Sequence, residues 1–195
     1  MRRPSLIIFF PLIVIPFVAR AQTQYGVKAG LNVSDIVMTN YVNPDFESDL
    51  VLKLGMHAGF YVSEAVNERV GMAAELLYSN KGVSDIHLHY ITLPLMIQYK
   101  FADHLFGEIG PEPSYLFSAS SKYGNVSNTY NNKFDLALDG GLCFRPSKLL
   151  FSLRYSAGLF SVRDTRPYAG PGTANVKYQN RVLQLSLGYR LSPDE

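Results

Sequence analysis

The groups in this 195-residue chain that could do chemistry are four histidines, one cysteine, 18 basic and 16 acidic side chains. Their spacing limits what that chemistry could be. His87 and His89 have H-x-H spacing, which puts both rings on one face of a strand, with Asp85 the one obvious third ligand for zinc or copper. A two-histidine set with a single flanking carboxylate is weak for either metal, so the pair is read as a solvated loop end. His57 stands alone among inward-phased residues and is read as a hydrogen-bonded packing group. Cys143 has no second cysteine for a disulfide or a thiolate cluster, and no histidine to activate it, so it is read as a small buried filler. Tyr115, Ser118 and His89 form no nucleophile–base set. G-x-S-x-G, P-loop and dinucleotide patterns are absent, and Asn125-Val126-Ser127 has only sequon form. No residue is assigned a catalytic, cofactor-binding or metal-ligating role, and no cofactor is expected.

One larger constellation remains. Lys28, Glu75, Lys100, Glu108, Glu112, Asp135, Asp139, Arg154 and Arg190 all fall in the same phase of alternating segments. Such a set could conduct ions or protons, provide an acid/base pair, or form a salt-bridged plug. Charges facing a narrow interior must be paired to offset their desolvation, and the nearly balanced signs favour the plug.

The elements that would carry these residues alternate with period two. The apolar phases are Tyr25–Val33, Leu54–Val62, Val70–Tyr78, Ile91–Phe101, Leu105–Phe117, Phe134–Phe144, Phe151–Leu159 and Leu183–Leu191. A helical reading would scatter their charges around the circumference, so eight strands are expected. The fifth is the least regular, because Pro111 and Pro113 interrupt it, and Pro94 predicts a bulge or break in the fourth. Short connections at Glu64–Glu68, Ala102–His104 and Arg145–Lys148 alternate with long polar ones at Asp35–Lys53, Asn80–His89, Ser118–Lys133 and Ser161–Asn180. Short turns at a periplasmic rim and long loops outside are the pattern of a membrane barrel.

The fold class expected is therefore all-β, an eight-stranded antiparallel up-and-down transmembrane β-barrel. A soluble lipocalin-like barrel would share the alternation inside-out. The small and polar phase suits a lumen just wide enough for side chains, and the bulky phase suits lipid. Tyr25, Tyr99, Phe101, Phe144, Phe151 and Tyr189 thread to one rim, and Tyr78, Tyr115, Phe117 and Phe134 to the other, as two interfacial girdles.

The first residues have the form of an export signal: Arg2 and Arg3, an apolar run from Leu6 to Val18, then Ala19-Arg20-Ala21. The run is shorter than the about 20 apolar residues of a spanning helix. The domains expected are a secretory signal peptide over 1–21 and a barrel over 22–195. Without Arg2, Arg3 and Arg20, 15 basic residues face 16 acidic ones, which leaves no basic excess for nucleic acid.

The sequence also resembles the outer-membrane β-barrel domain family abundant in Bacteroidetes, which includes PorT-like proteins. The resemblance is carried by Tyr25-Gly26-Val27-Lys28-Ala29-Gly30-Leu31-Asn32, Leu54-Gly55-Met56-His57-Ala58-Gly59-Phe60 and Glu75-Leu76-Leu77-Tyr78-Ser79-Asn80-Lys81-Gly82. Tyr90-Ile91-Thr92-Leu93-Pro94-Leu95, and Gly110-Pro111 followed by Tyr115-Leu116, extend it over nearly all of the chain after the signal. The sequence departs from the usual barrel pattern in placing its last aromatic, Tyr189, several residues before Glu195. The resemblance implies location in the cell outer membrane and, for PorT-like members, a link to type IX secretion and gliding.

The function expected is a non-enzymatic outer-membrane barrel serving as scaffold, adhesin or secretion accessory through its long extracellular loops. The alternatives are a small membrane-embedded lipid-acting enzyme and a soluble lipocalin-like ligand-binding barrel. The expected partners are outer-membrane lipid or lipopolysaccharide and secretion-system or surface proteins. The chain is expected to be a monomer.

Overall fold

Strict alternation leaves each strand with one bulky apolar face and one small or polar face, and a sheet built from such strands is satisfied when it closes on itself. A computed structural model describes residues 23–39, 52–83, 85–122, 124–127, 132–160, 163–165 and 176–193. The expected signal segment and most of the first and last long connections lie outside the described residues.

The strands are β1 (Gln24–Thr39), β2 (Lys53–Ala65), β3 (Val70–Val83), β4 (Ile86–Thr92), β5 (Leu95–Ala102), β6 (Leu105–Ser121), β7 (Gly124–Asn125), β8 (Phe134–Phe144), β9 (Leu149–Gly158), β10 (Arg163–Thr165) and β11 (Val176–Arg190). All pair antiparallel with their neighbours, and β1 pairs with β11 from Gly26↔Arg190 to Thr39↔Lys177, which closes the barrel. Segments β4 and β5 together form one staves' width, because both pair with β3 and with β6. The barrel therefore has eight strands, with β7 and β10 as short additions to β6 and β11.

The break between β4 and β5 falls at Leu93-Pro94, where the sequence predicts it. Pro94 offers no N–H but still accepts one from Glu75 at 3.0 Å, and the Leu93 N–H reaches the Pro113 carbonyl at 2.9 Å. The fifth strand differs from expectation. It runs unbroken as β6 for 17 residues, with Pro111 and Pro113 in its outward phase. It carries a register shift opposite His89/Tyr90 instead.

The faces sort cleanly. Leu31, Leu185, Leu153 and Leu142 form one row across four strands and face outward. Tyr78, Ile91, Tyr115 and Phe134 form another across β3, β4, β6 and β8, which is the outer aromatic girdle. The other girdle's six aromatics are also exposed, at the short-turn rim. Phe60, Leu54 and Phe101 are more than 60% exposed, while Lys28, Glu112, Asp139 and Arg154 are at most 2% exposed. A soluble ligand barrel would show the opposite arrangement, so that alternative is set aside. Strands of about ten residues at about 3.3 Å each, tilted about 40°, span the roughly 25 Å lipid-facing band.

One connection is not the loop the sequence implies. Residues 80–89 mostly continue the β3–β4 ladder, through Asn80↔His89, Lys81↔Leu88, Gly82↔His87 and Val83↔Ile86. The wall thus projects five residues past the Tyr78–Ile91 row, on the order of 15 Å along the strand. Polar residues occupy both faces there because no lipid lies outside, so the hydrophobic period fades although the strands continue. The outer end of β6 continues likewise to Ser121 and turns back as β7.

Candidate functional site

Inward side chains of eight strands meet in the lumen, and the longest of them are ionic. At its centre Arg154 on β9 directs Nε and Nη2 at Glu108 Oε1 (3.0 and 2.8 Å), and Nη1 and Nη2 at Glu75 (3.1 and 2.9 Å). Lys28 on β1 reaches Glu75 at 2.9 Å, and Gln98 on β5 donates to Glu108 Oε2 at 3.2 Å. A planar guanidinium suits this role, since its fork can engage two carboxylates at once. Glycines make room for these groups. A Cβ on Gly30 would lie 2.7 Å from the His57 ring and against the Leu185 carbonyl oxygen, so this inward position admits only hydrogen.

Beside this layer His57 is held by Asn32 Oδ1 at Nδ1 and by Ser186 Oγ at Nε2, each at 2.8 Å. Asn32 also donates to Ser79 Oγ and to the Asn80 carbonyl, which stitches β1 to β3 across the end of β2. His57 is the bonded packing residue expected. Farther out, Lys81 pairs with Glu112 and lies 5.4 Å from the centre of the Tyr90 ring. Asn180 donates to Asp135 Oδ2 at 2.8 Å and to the Tyr90 hydroxyl at 3.3 Å.

Level with Lys81, the inward faces of β4 and β6 turn apolar. Leu88, Tyr90, Leu116 and Ala119 are buried together, with Ile86 and Val126 packed against them. Val126 is tied down by its N–H to the Ala119 carbonyl at 3.0 Å. At the opposite rim a cavity of about 910 Å³ opens among the short turns, and Gln98, Phe106, Arg145 and Arg190 are among its lining residues.

Several sequence readings shift in detail. Lys100 does not join the central network; it pairs with Asp103 at 3.0 Å at the short-turn rim, where its side chain is 39% exposed. Lys53 and Lys81, which lie in or bordering segments read as loops, are buried in the lumen instead. Lys53 donates to the Ile86 carbonyl at 2.7 Å. Cys143 is buried, as expected of a filler, but its setting is more basic than the sequence implies, since Arg145 Nε approaches its sulfur at 3.4 Å.

His87 and His89 do share a face, with ring centres 6.4 Å apart. They lie on the outer surface of β4 rather than on a loop, and His89 Nδ1 is engaged by the Tyr78 hydroxyl at 2.8 Å. Asp85 is bound to Lys122 at 2.8 Å, and that ammonium holds its exposed carboxyl below the usual carboxylate range. Among the described residues no three His, Cys, Asp or Glu side chains converge as a metal ion requires. Ser118 stands opposite His89 in the ladder, and Tyr115 points outward in the girdle. The three do not assemble around a common point.

A closed antiparallel barrel with an apolar exterior, two aromatic girdles and an ionic interior is the arrangement a lipid bilayer demands of strands. The family model of the outer membrane protein beta-barrel domain matches residues 19–164. The chain belongs to that family. Its place is the outer membrane.

Among solved structures, Neisserial surface protein A is similar with a TM-score of 0.54 at 11% identity, over 85% of this chain and 96% of that one. The attachment invasion locus protein Ail of Yersinia pestis gives 0.47 at 16% identity, over 87% and 99%. OprG of Pseudomonas aeruginosa gives 0.38 at 12% identity, over 88% and 95%. At such identities the likeness to the neisserial protein shows the fold alone. No curated protein matches the chain.

Proposed function

We propose that this family member is a non-enzymatic surface scaffold or adhesin, a monomer whose working parts are the strand extensions and connections outside the outer girdle. The observation that carries this reading is the filling of the lumen. An ion-pair network fills its middle, and a buried apolar cluster lines the inner faces of β4 and β6 farther out. A conduit needs an open path and a membrane-embedded lipid enzyme needs a nucleophile–base set at the outer rim; the described residues supply neither. The projecting β3–β4 and β6–β7 walls remain, fixed to a rigid barrel as binding loops commonly are. Their partners are read as surface or secretion proteins, set among lipopolysaccharide. The secretion-accessory role of PorT-like proteins is one form of the same reading.

The test is capture from native outer membranes by the tagged protein, compared with a variant whose β3–β4 tip is shortened between Asn80 and His89. Both must show the heat-modifiable gel mobility of a folded barrel. The reading expects a defined set of surface or secretion proteins that is lost with the tip or with a companion replacement of residues 40–51. Capture unchanged by both replacements, or lipid turnover by the purified barrel, would overturn it.

A further inference from the structure

The ionic lumen has two layers with different charge balance. In the inner layer two carboxylates, Glu75 and Glu108, meet two cations, Lys28 and Arg154, and every carboxylate oxygen has a donor. In the outer layer three buried carboxylates, Glu112, Asp135 and Asp139, face one ammonium among the described residues, that of Lys81. Four of their six oxygens accept no hydrogen bond of ordinary length: Glu112 Oε2, Asp135 Oδ1 and both oxygens of Asp139, which has only the Ser156 hydroxyl beside it on the ladder. Asp139 is fully buried. Arg154 approaches its Oδ2 only to 3.7 Å, with four N–H bonds already directed at Glu75 and Glu108.

The neighbours of Asp139 can be named strand by strand. Glu112 on β6 is diagonal to it, since the side-chain-free Gly110 is its direct partner, a spacing that long side chains bridge across a ladder. Ser156 and Arg154 face it from β9, and Lys81 from β3. On Asp139's own strand, Asp135 is also inward. Two like charges cannot stand together in a dry interior, and no cation on these elements is free to separate them. Metal-type donor convergence is absent among the described residues.

We propose that Glu112 and Asp139 form a carboxyl–carboxylate pair that holds one proton between them. The proton turns one oxygen into a donor for the other residue's orphaned oxygen, removes one of the two excess negative charges, and leaves Glu112 Oε1 to Lys81. It exchanges with bulk water, and no bond between heavy atoms changes. The pair also adjoins the buried apolar cluster of β4 and β6. Lys81 bonds Glu112 and lies over Tyr90, and Tyr90 belongs to that cluster. Loss of the proton therefore repels Asp139 from Glu112 and strains the Lys81 ammonium beneath the cluster.

The folded barrel would hold a proton that the unfolded chain has released near neutral pH, so stability must fall as pH rises. Infrared spectra of the refolded full chain in lipid vesicles, titrated from neutral to alkaline pH, test this. The expected result is a protonated-carboxyl C=O band at neutral pH that shifts in heavy water, disappears in Asp139→Asn and survives in Asp135→Asn. The loss of stability with rising pH should also be absent in Asp139→Asn. The wild-type spectrum alone can overturn the proposal, whatever the variants do, by showing no such band at neutral pH. A band that disappears in Asp135→Asn but persists in Asp139→Asn would overturn it too. So would stability that follows sodium concentration rather than pH.

Discussion

Removal of the Arg154 guanidinium probes the lumen where its consequences can be worked out group by group. Arg154→Met keeps most of the side-chain volume and deletes four hydrogen bonds to two buried carboxylates. Glu75 keeps Lys28 at 2.9 Å, whereas Glu108 is left with the neutral Gln98 amide at 3.2 Å. The damage should therefore concentrate on Glu108, which becomes a buried charge without a counter-ion. Breaking such a pair from one side costs about 3–5 kcal/mol. The second change, Glu108→Gln in the Arg154→Met background, removes that stranded charge and should recover more than half of the loss. Arg154→Lys should recover less, because an ammonium on a single stem cannot fork to both carboxylates. Reversible urea unfolding in lipid vesicles, followed by gel mobility and circular dichroism because the chain has no tryptophan, gives the free energies. A loss below about 1 kcal/mol for Arg154→Met, the range of an exposed ion pair, would refute the claim that Arg154 is the buried keystone. A double variant less stable than the single one would refute the role of Glu108.

Two further perturbations test the faces of the wall. Leu185→Arg places a charge in the middle of the outward leucine row and should cost roughly 2–4 kcal/mol in lipid, as at a bilayer midplane; an unchanged unfolding midpoint would contradict the lipid assignment. Gly30→Val puts a branched side chain where the His57 ring and the Leu185 carbonyl already sit, and should abolish the folded gel band while Ala29→Val, on the outward face, keeps it.

How much was legible in the sequence follows from where a period-two signal exists. Inside the lipid band each strand has a bulky and a small face, so the inward phase of Lys28, Glu75, Glu112, Asp139 and Arg154 could be read directly. Beyond the outer girdle neither face needs to be apolar on the outside, and Asn80–His89 carries polar residues on both. The ladder there was invisible, and with it Lys81, the ammonium bonded to Glu112 in the outer layer. The buried cluster of Leu88, Leu116 and Ala119 was hidden for the same reason, because apolar residues on the inward phase contradict the pattern of the strands below. Pairing partners were also beyond reach. Arg154 meets Glu75 across 79 residues of sequence, a contact set by strand tilt and stagger rather than by any local motif. The break at Pro94 was readable since a missing N–H is a property of the residue itself. The continuity of β6 through Pro111 and Pro113 was not, because it depends on which face those prolines occupy.

Paired charges fill the middle of the barrel. Single-channel recording of the refolded full chain in planar bilayers addresses this filling most directly. No sustained ohmic conductance is expected at neutral pH in barrels whose folded state is verified on the same preparation by gel mobility. Discrete, long-lived openings from the wild-type protein would contradict it.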